Sequence, residues 1–210
     1  MYKRIVTIVL DSVGIGNAKD ASDYGDLGAN TLLSASADSN FKIPNLEKIG
    51  LGCLGDFPNI EKKQEMGYIA RCNELSKGKD TTVGHFEYVG IETKIPFPVF
   101  TETGFPEELV AELSKRSGHN FIGNYASSGT VILDELGEEH VSTKALILYT
   151  SNDSVLQIAA HEEVIPLEEL YRVCEIAREI TLRDEWKLAR VIARPFVGTV
   201  GNWKRTSNRH

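Results

Sequence analysis

Lys3-Arg4-Ile5-Val6-Thr7-Ile8-Val9-Leu10-Asp11-Ser12-Val13-Gly14-Ile15-Gly16 opens the chain with a nearly unbroken β-branched and apolar run from Ile5 to Leu10. A continuous run, unlike an alternating one, suits a strand buried on both faces, as in a parallel sheet covered by helices. Asp11 then falls at the carboxyl end of the expected strand, where ligands of open α/β sheets bind, and Gly14 and Gly16 free the chain to turn. A carboxylate there is costly to desolvate without a cation beside it. Two readings of Asp11 stand at this point: a metal ligand, or a cap on the turn after a core strand.

With 210 residues the chain is long enough for one sizeable domain or two small ones. Hydrophobic residues make up 41% and charged residues 25%, the balance of a globular protein, and the net charge is −7. The acidic balance argues against a nucleic-acid partner that needs a broad basic face, but leaves room for a local basic phosphate pocket. No apolar segment approaches the roughly 20 residues that span a bilayer, so no membrane partner is expected. Met1 leads into the first run with no secretory pattern. Cys53, Cys72 and Cys174 are scattered and odd in number, which reads as reduced, part-buried thiols of a cytoplasmic protein.

Further along, residues 17–30 read as a long polar loop, Thr31-Leu32-Leu33 as the start of a short helix, and Ile43–Gly50 as a helix with proline near its start and glycine at its end. Met66–Cys72 reads as a strand. The stretch Ser76-Lys77-Gly78-Lys79-Asp80-Thr81-Thr82-Val83-Gly84-His85-Phe86-Glu87 packs two lysines, an aspartate, two hydroxyls and a histidine between glycines. Either threonine could cap a helix; one could instead be a nucleophile activated by a metal and aimed at a phosphoryl group. A boundary is expected at Lys94–Phe100, where two prolines precede a shift in composition.

The second half reads as α+β. A helix is expected over 105–116, a short strand over Asn120–Gly123, a helix from Thr130 to Leu136 ending at Gly137, and strands over Ala145–Thr150 and Ser154–Ala160. Pro166–Thr181 is the clearest helix, with Leu167, Leu170, Tyr171, Cys174, Ala177 and Ile180 on one face. Leu188–Phe196 reads as a strand whose Arg190 and Arg194 share a face because they are an even number of residues apart. Trp203–His210 reads as a polar, basic tail.

Several of these stretches carry a resemblance. Val9–Gly16, Gly78–His85, Asp134–His140, Tyr149–Glu163, Arg190–Phe196 and Arg205–His210 resemble, in order, the phosphopentomutase family of the alkaline phosphatase superfamily. That family interconverts ribose or deoxyribose 1-phosphate and 5-phosphate. The resemblance implies an α/β fold: a partial alkaline-phosphatase-like core, holding the first half of a parallel sheet over residues 1–96, followed by an α+β cap domain over residues 97–210. It implies two Mn2+ ions in the complete site, a phosphothreonine, a bisphosphorylated sugar activator and a small-molecule sugar phosphate as partner. By position, Asp11 corresponds to a metal-binding aspartate, and Thr81 to the phosphorylated threonine that also faces the metals. Ser151, Asp153, Val155, Arg190 and Ile192 would surround the sugar phosphate, with Arg205 as a further phosphate contact.

The expected chemistry is transfer of a phosphoryl group from the threonine to a pentose monophosphate, reorientation of the bisphosphate, and return of the other phosphate. Arg190 suits bidentate grip of a phosphate, although an exposed ion pair is the simpler use of an arginine on a strand. Asp153 could read sugar hydroxyls or make a turn. Family members continue past the residue matching His210, into Asp- and His-rich segments that supply most metal ligands. A 210-residue chain with Asp11 and Thr81 alone is therefore expected to lack mutase activity, and to leave an apolar sheet edge open. The alternatives are a non-catalytic sugar-phosphate-binding fragment and a metal-dependent phosphatase of the same superfamily. Pentose preference and oligomeric state are not fixed by the sequence.

Overall fold

A computed structural model of the chain describes residues 3–10 and 12–210. The chain forms two compact units, residues 1–75 and 76–210.

In the first unit, helix α1 (Thr31–Ser36) starts where the Asn30 side chain accepts a hydrogen bond from the Leu33 N–H at 3.0 Å. Helix α2 (Pro44–Ile49) has proline in its first turn and stops at Gly50, whose φ of 114° only glycine adopts readily. Leu32, Phe57 and Ile60 form a small core, joined by Ile15, Phe41, Ile43 and Leu51. The strand expected over Ile5–Leu10 is not found: residues 3–10 enter no ladder, and Ile5, Val6 and Ile8 are 73–86% exposed. A strand exists only through its partner's hydrogen bonds, and no described residues supply a ladder to this run. The strand expected at Met66–Cys72 is also absent, because Gly67 turns the chain at φ 75° and Tyr68 stands fully exposed.

The second unit begins with helices α3 (Thr81–Tyr88) and α4 (Glu107–Ser117), then β1 (Phe121–Ala126), α5 (Val131–Thr143), β2 (Leu146–Thr150), β3 (Val155–His161), α6 (Leu167–Ile180), β4 (Arg190–Thr199) and β5 (Asn202–Arg205). The strands lie in sequence order in one sheet. β1 and β2 are parallel, β2 and β3 antiparallel, β3 and β4 parallel, and β4 and β5 antiparallel. Both parallel steps cross over through a helix, as parallel pairing requires. The α/β class expected from the sequence is the class found, with a mixed sheet. Among the described residues no helix is long and apolar enough to cross a membrane.

Strand periodicity divides the core into two layers. Leu146, Leu148, Leu156, Ile158 and Ala193 face α4 and α6, where Leu109, Leu113, Leu170, Val173, Ala177 and Ile180 meet them. Ile147, Tyr149, Ala159 and Phe196 face α5 through Ile132 and Leu133, with Trp203 of β5 closing the edge. The buried stripe of α6 thus includes Val173, while Tyr171 and Cys174 lie half-buried on its flank. The tail, read as polar and basic, contributes Trp203–Arg205 to β5, and the close approach of Trp203 accounts for a glycine in the middle of α5. Gly137 is fully inside that helix, and a Cβ there would fall 2.6 Å from Trp203 Nε1. Cys53 and Cys72, expected to be part-buried, are exposed.

His140 of α5 is fully buried beneath this edge. Its Nδ1–H donates to the Ala145 carbonyl at 2.6 Å, and its Nε2 accepts the His161 backbone N–H at 2.8 Å. Both ring nitrogens are used only by the neutral ring, and burial pushes the His140 pKa down. The unfolded chain then binds a proton more readily than the folded one. This stabilisation is complete above the ordinary histidine range and is lost as pH falls below about 6.5. Thermal unfolding followed by circular dichroism from about pH 7.5 to about pH 5 should show a falling midpoint, with a flatter profile in His140→Gln. Gly137→Ala should lower the stability at neutral pH by about 1–3 kcal/mol, seen as a lower midpoint, despite alanine's better helix propensity.

Candidate functional site

Helix α3 is eight residues long, and its first turn is organised by the residue just before it. Asp80 has extended backbone (φ −157°), and its Oδ1 accepts the Thr82 N–H at 2.7 Å. The cap is therefore the aspartate and neither threonine, which leaves Thr81 exposed as the first helical residue with its hydroxyl available. Thr81 Oγ1 lies 3.3 Å from His85 Nδ1, but that nitrogen is 2.8 Å from the Thr81 carbonyl oxygen. A carbonyl only accepts, so Nδ1 carries the proton and cannot take one from the threonine. His85 is excluded as the base for Thr81 in this arrangement.

The other half of the site stands at the head of β4. Ser154 ties that strand to β3: its hydroxyl accepts the Ala189 N–H at 3.2 Å, and its carbonyl accepts the Arg190 N–H at 3.2 Å. The ladder then pairs Val155 with Arg190 and Gln157 with Ile192. Arg190 Nη2 donates to Asp80 Oδ2 and to Asp153 Oδ2, both at 3.0 Å. The Asp80 side chain is 1% exposed, that of Arg190 27% and that of Asp153 43%. Among the described residues, Arg190 Nε is a buried side-chain nitrogen with no hydrogen-bond partner.

The structure thus brings Arg190, Asp153, Val155 and Ile192 to one end of the β3–β4 ladder, and joins them to Thr81 through Asp80. Val155 is buried and Ile192 half-buried. Ser151 lies in the same β2–β3 connection, where its carbonyl accepts the Thr101 hydroxyl at 3.0 Å. Arg205 sits apart, on β5 opposite Phe196, and no hydrogen bond among the described residues joins it to Arg190. It belongs to a basic cleft of about 600 Å3 with Arg194, Lys204 and Arg209. Arg194 Nε donates to Gln157 Oε1 at 2.8 Å. Burial pushes the Tyr149 phenol up, while the charges of Arg194 and Arg205 pull it down.

Asp11 lies outside the described residues. Among those described, no three His, Cys, Asp or Glu side chains converge to hold a metal ion. Asp80, next to Thr81, already uses one oxygen for Thr82 and the other for Arg190. The described donors do not make up a two-metal site, and Thr81 presents an exposed hydroxyl. Cys174 is no candidate nucleophile, because burial pushes its thiol up to about 12, with Glu175 adding to the shift.

Asp80, which caps α3 and holds Arg190, is the residue of this cluster that local reading did not single out. The signal available is an aspartate, a preferred cap residue, immediately before the helix start at Thr81. Its second role, holding Arg190, joins residues 110 apart and leaves no local trace.

No protein-family model matches the chain. Relatives do. Over 213 residues it is 54% identical to the phosphopentomutase of Clostridium beijerinckii, over 215 residues 54% identical to that of Clostridium tetani, and over 213 residues 54% identical to that of Clostridium perfringens strain 13. Each alignment takes in 100% of this chain and 54% of the relative. The chain spans about half the length of the curated relatives it matches.

Asp80→Asn should keep the cap and lose only the ion pair, because asparagine caps as well as aspartate. Asp80→Ala should lose both and be less stable than Asp80→Asn by about 1 kcal/mol in urea unfolding. Equal stability of the two variants would remove the capping role. Over the whole of its own length, the chain is similar to about half of a phosphopentomutase.

Proposed function

We propose that the chain carries the sugar-phosphate-binding part of a phosphopentomutase, with residues 1–96 as half of the metal-bearing core and residues 97–210 as the cap. Its substrate is a pentose phosphate, and Arg190 is the main phosphate grip. The observation that supports this most is the position of Arg190, one hydrogen bond from the residue preceding Thr81. A guanidinium fork can bind two phosphate oxygens and hold the phosphoryl group near a hydroxyl. Half-buried Ile192 offers apolar surface beside it, suited to one face of a furanose ring, with Val155 buried in the same ladder opposite Arg190, and Ser151 and Asp153 offer polar groups.

In this reading Thr81 is the residue that accepts and returns the phosphoryl group. Its placement at the start of α3 adds the positive end of the helix dipole, which favours an incoming anion. A metal cofactor is what the relatives' family suggests, and Mn2+ and a bisphosphorylated activator belong to the same reading. Since the described donors do not assemble a metal site, the role given to each residue here stands on phosphate binding and positioning. Arg205, with Arg194, extends the phosphate-binding surface towards the basic cleft.

The test is a titration of the purified 210-residue protein with ribose 5-phosphate. At ten times its dissociation constant, the ligand should raise stability by about 1.4 kcal/mol. Arg190→Lys, which keeps a cation beside the buried Asp80 but loses the guanidinium fork, should sharply reduce that rise while leaving the unliganded fold intact by circular dichroism. With Mn2+ present, the products separate the alternatives: ribose 1-phosphate marks a mutase, free phosphate a phosphatase, and binding without turnover a binding fragment. No stabilisation by millimolar ribose 5-phosphate would overturn the sugar-phosphate reading.

A further inference from the structure

Arg190 spends its Nη2 nitrogen in an unusual way. That nitrogen has two hydrogens, and both go to carboxylates, one to Asp80 and one to Asp153, each at 3.0 Å. Nε, on the same edge of the guanidinium as Nη2, is buried and has no acceptor among the described residues. The edge best suited to a bidentate anion is therefore half blocked and half idle. One cation between two carboxylates also leaves a net negative charge where a phosphate dianion has to arrive.

The two carboxylates are not equivalent. Asp80 is 1% exposed in its side chain, and its other oxygen holds the Thr82 N–H. Withdrawing it from Arg190 would leave a buried charge unpaired, which is strongly unfavourable. Asp153 is 43% exposed, lies in the short β2–β3 connection, and makes with Arg190 the weaker, solvent-screened kind of pair. When an anion comes to Arg190, Asp153 is the partner that can return to water at small cost.

We propose that Asp153 is a built-in competitor for the phosphate seat: it occupies Arg190 Nη2 until a phosphoryl group displaces it and takes the Nε–Nη2 edge, while Asp80 stays and keeps the guanidinium fixed beside α3. This inference rests on the sugar-phosphate reading for the identity of the ligand, but the exchange itself concerns any phosphoryl group. It changes the role expected of Asp153 from a reader of sugar hydroxyls to a gate that screens out weak anions.

Inorganic phosphate separates the two roles because it carries no sugar. Binding of inorganic phosphate and of ribose 5-phosphate is measured by calorimetry on the 210-residue protein and on Asp153→Asn, with Asp153→Ala as a second variant. Removing the competitor should tighten both ligands by about 1.5- to fivefold and leave the ratio of their affinities unchanged. Arg190→Gln should lose binding of inorganic phosphate in either background. Unchanged phosphate affinity in Asp153→Asn, with weaker ribose 5-phosphate, would overturn the proposal in favour of sugar reading. Absence of phosphate binding in both the parent protein and Asp153→Asn would overturn it as well. A gain in phosphate affinity, with ribose 5-phosphate bound no better than phosphate, would uphold the gate and dismiss the sugar-phosphate reading.

Discussion

The parallel pairing of β3 with β4 is the constraint on which the second unit depends. Seven consecutive pairs, from Val155 with Arg190 to His161 with Phe196, set which side chains go to which face. One slip in that register would send Leu156, Ile158 and Ala193 to the α5 side and turn Arg190 and Arg194 into the apolar layer beneath α6. The crossover helix α6 is buried against this ladder along Leu170, Val173, Ala177 and Ile180. Register and helix packing therefore enforce each other, and the site inherits its geometry from both.

The β3–β4 ladder and its crossover were legible in the sequence because their signals are local and periodic. A helix of 14 residues with acids in its first turn and an apolar stripe is hard to read otherwise, and the runs at 145–150 and 155–160 are nearly all apolar. The even spacing of Arg190 and Arg194 was also enough to place them on one face. The first run, Ile5–Leu10, shows the opposite case. Composition reports that a segment wants burial as a strand, but the partner that completes it is a property of other residues. Gly137 is a related lesson: a glycine that reads as a helix stop is there to admit an indole ring from a segment 66 positions on.

The candidate site was legible as chemistry more than as geometry. Arginine, threonine and aspartate in these stretches point to phosphate, and the structure groups most of them. It does not place Arg205 with Arg190 but gives it a separate basic cleft, with Tyr149 and Arg194 behind it. The ion pair at the centre, Arg190 with Asp80, is also a hydrogen bond to a nearly inaccessible carboxylate, the class of contact that costs most to break and least reveals itself in sequence. The buried histidines are a further polar group hidden in apolar surroundings. The ring nitrogens of both His140 and His161 are consumed by backbone partners.

The reach of the Asp80–Arg190 bond has a bearing on the order in which the molecule is made. An eight-residue helix is too short to persist in water by its own hydrogen bonds. The first turn of α3 is tied down by a guanidinium that the ribosome adds 110 residues later. The segment around Thr81 therefore leaves the ribosome without its anchor and waits while α4, α5 and α6 are synthesised and docked. The Thr81 hydroxyl is made well before Arg190 and is set in place only after it. A nascent chain that has not reached β4 holds Asp80 and Thr81 without the guanidinium that the folded chain sets beside them.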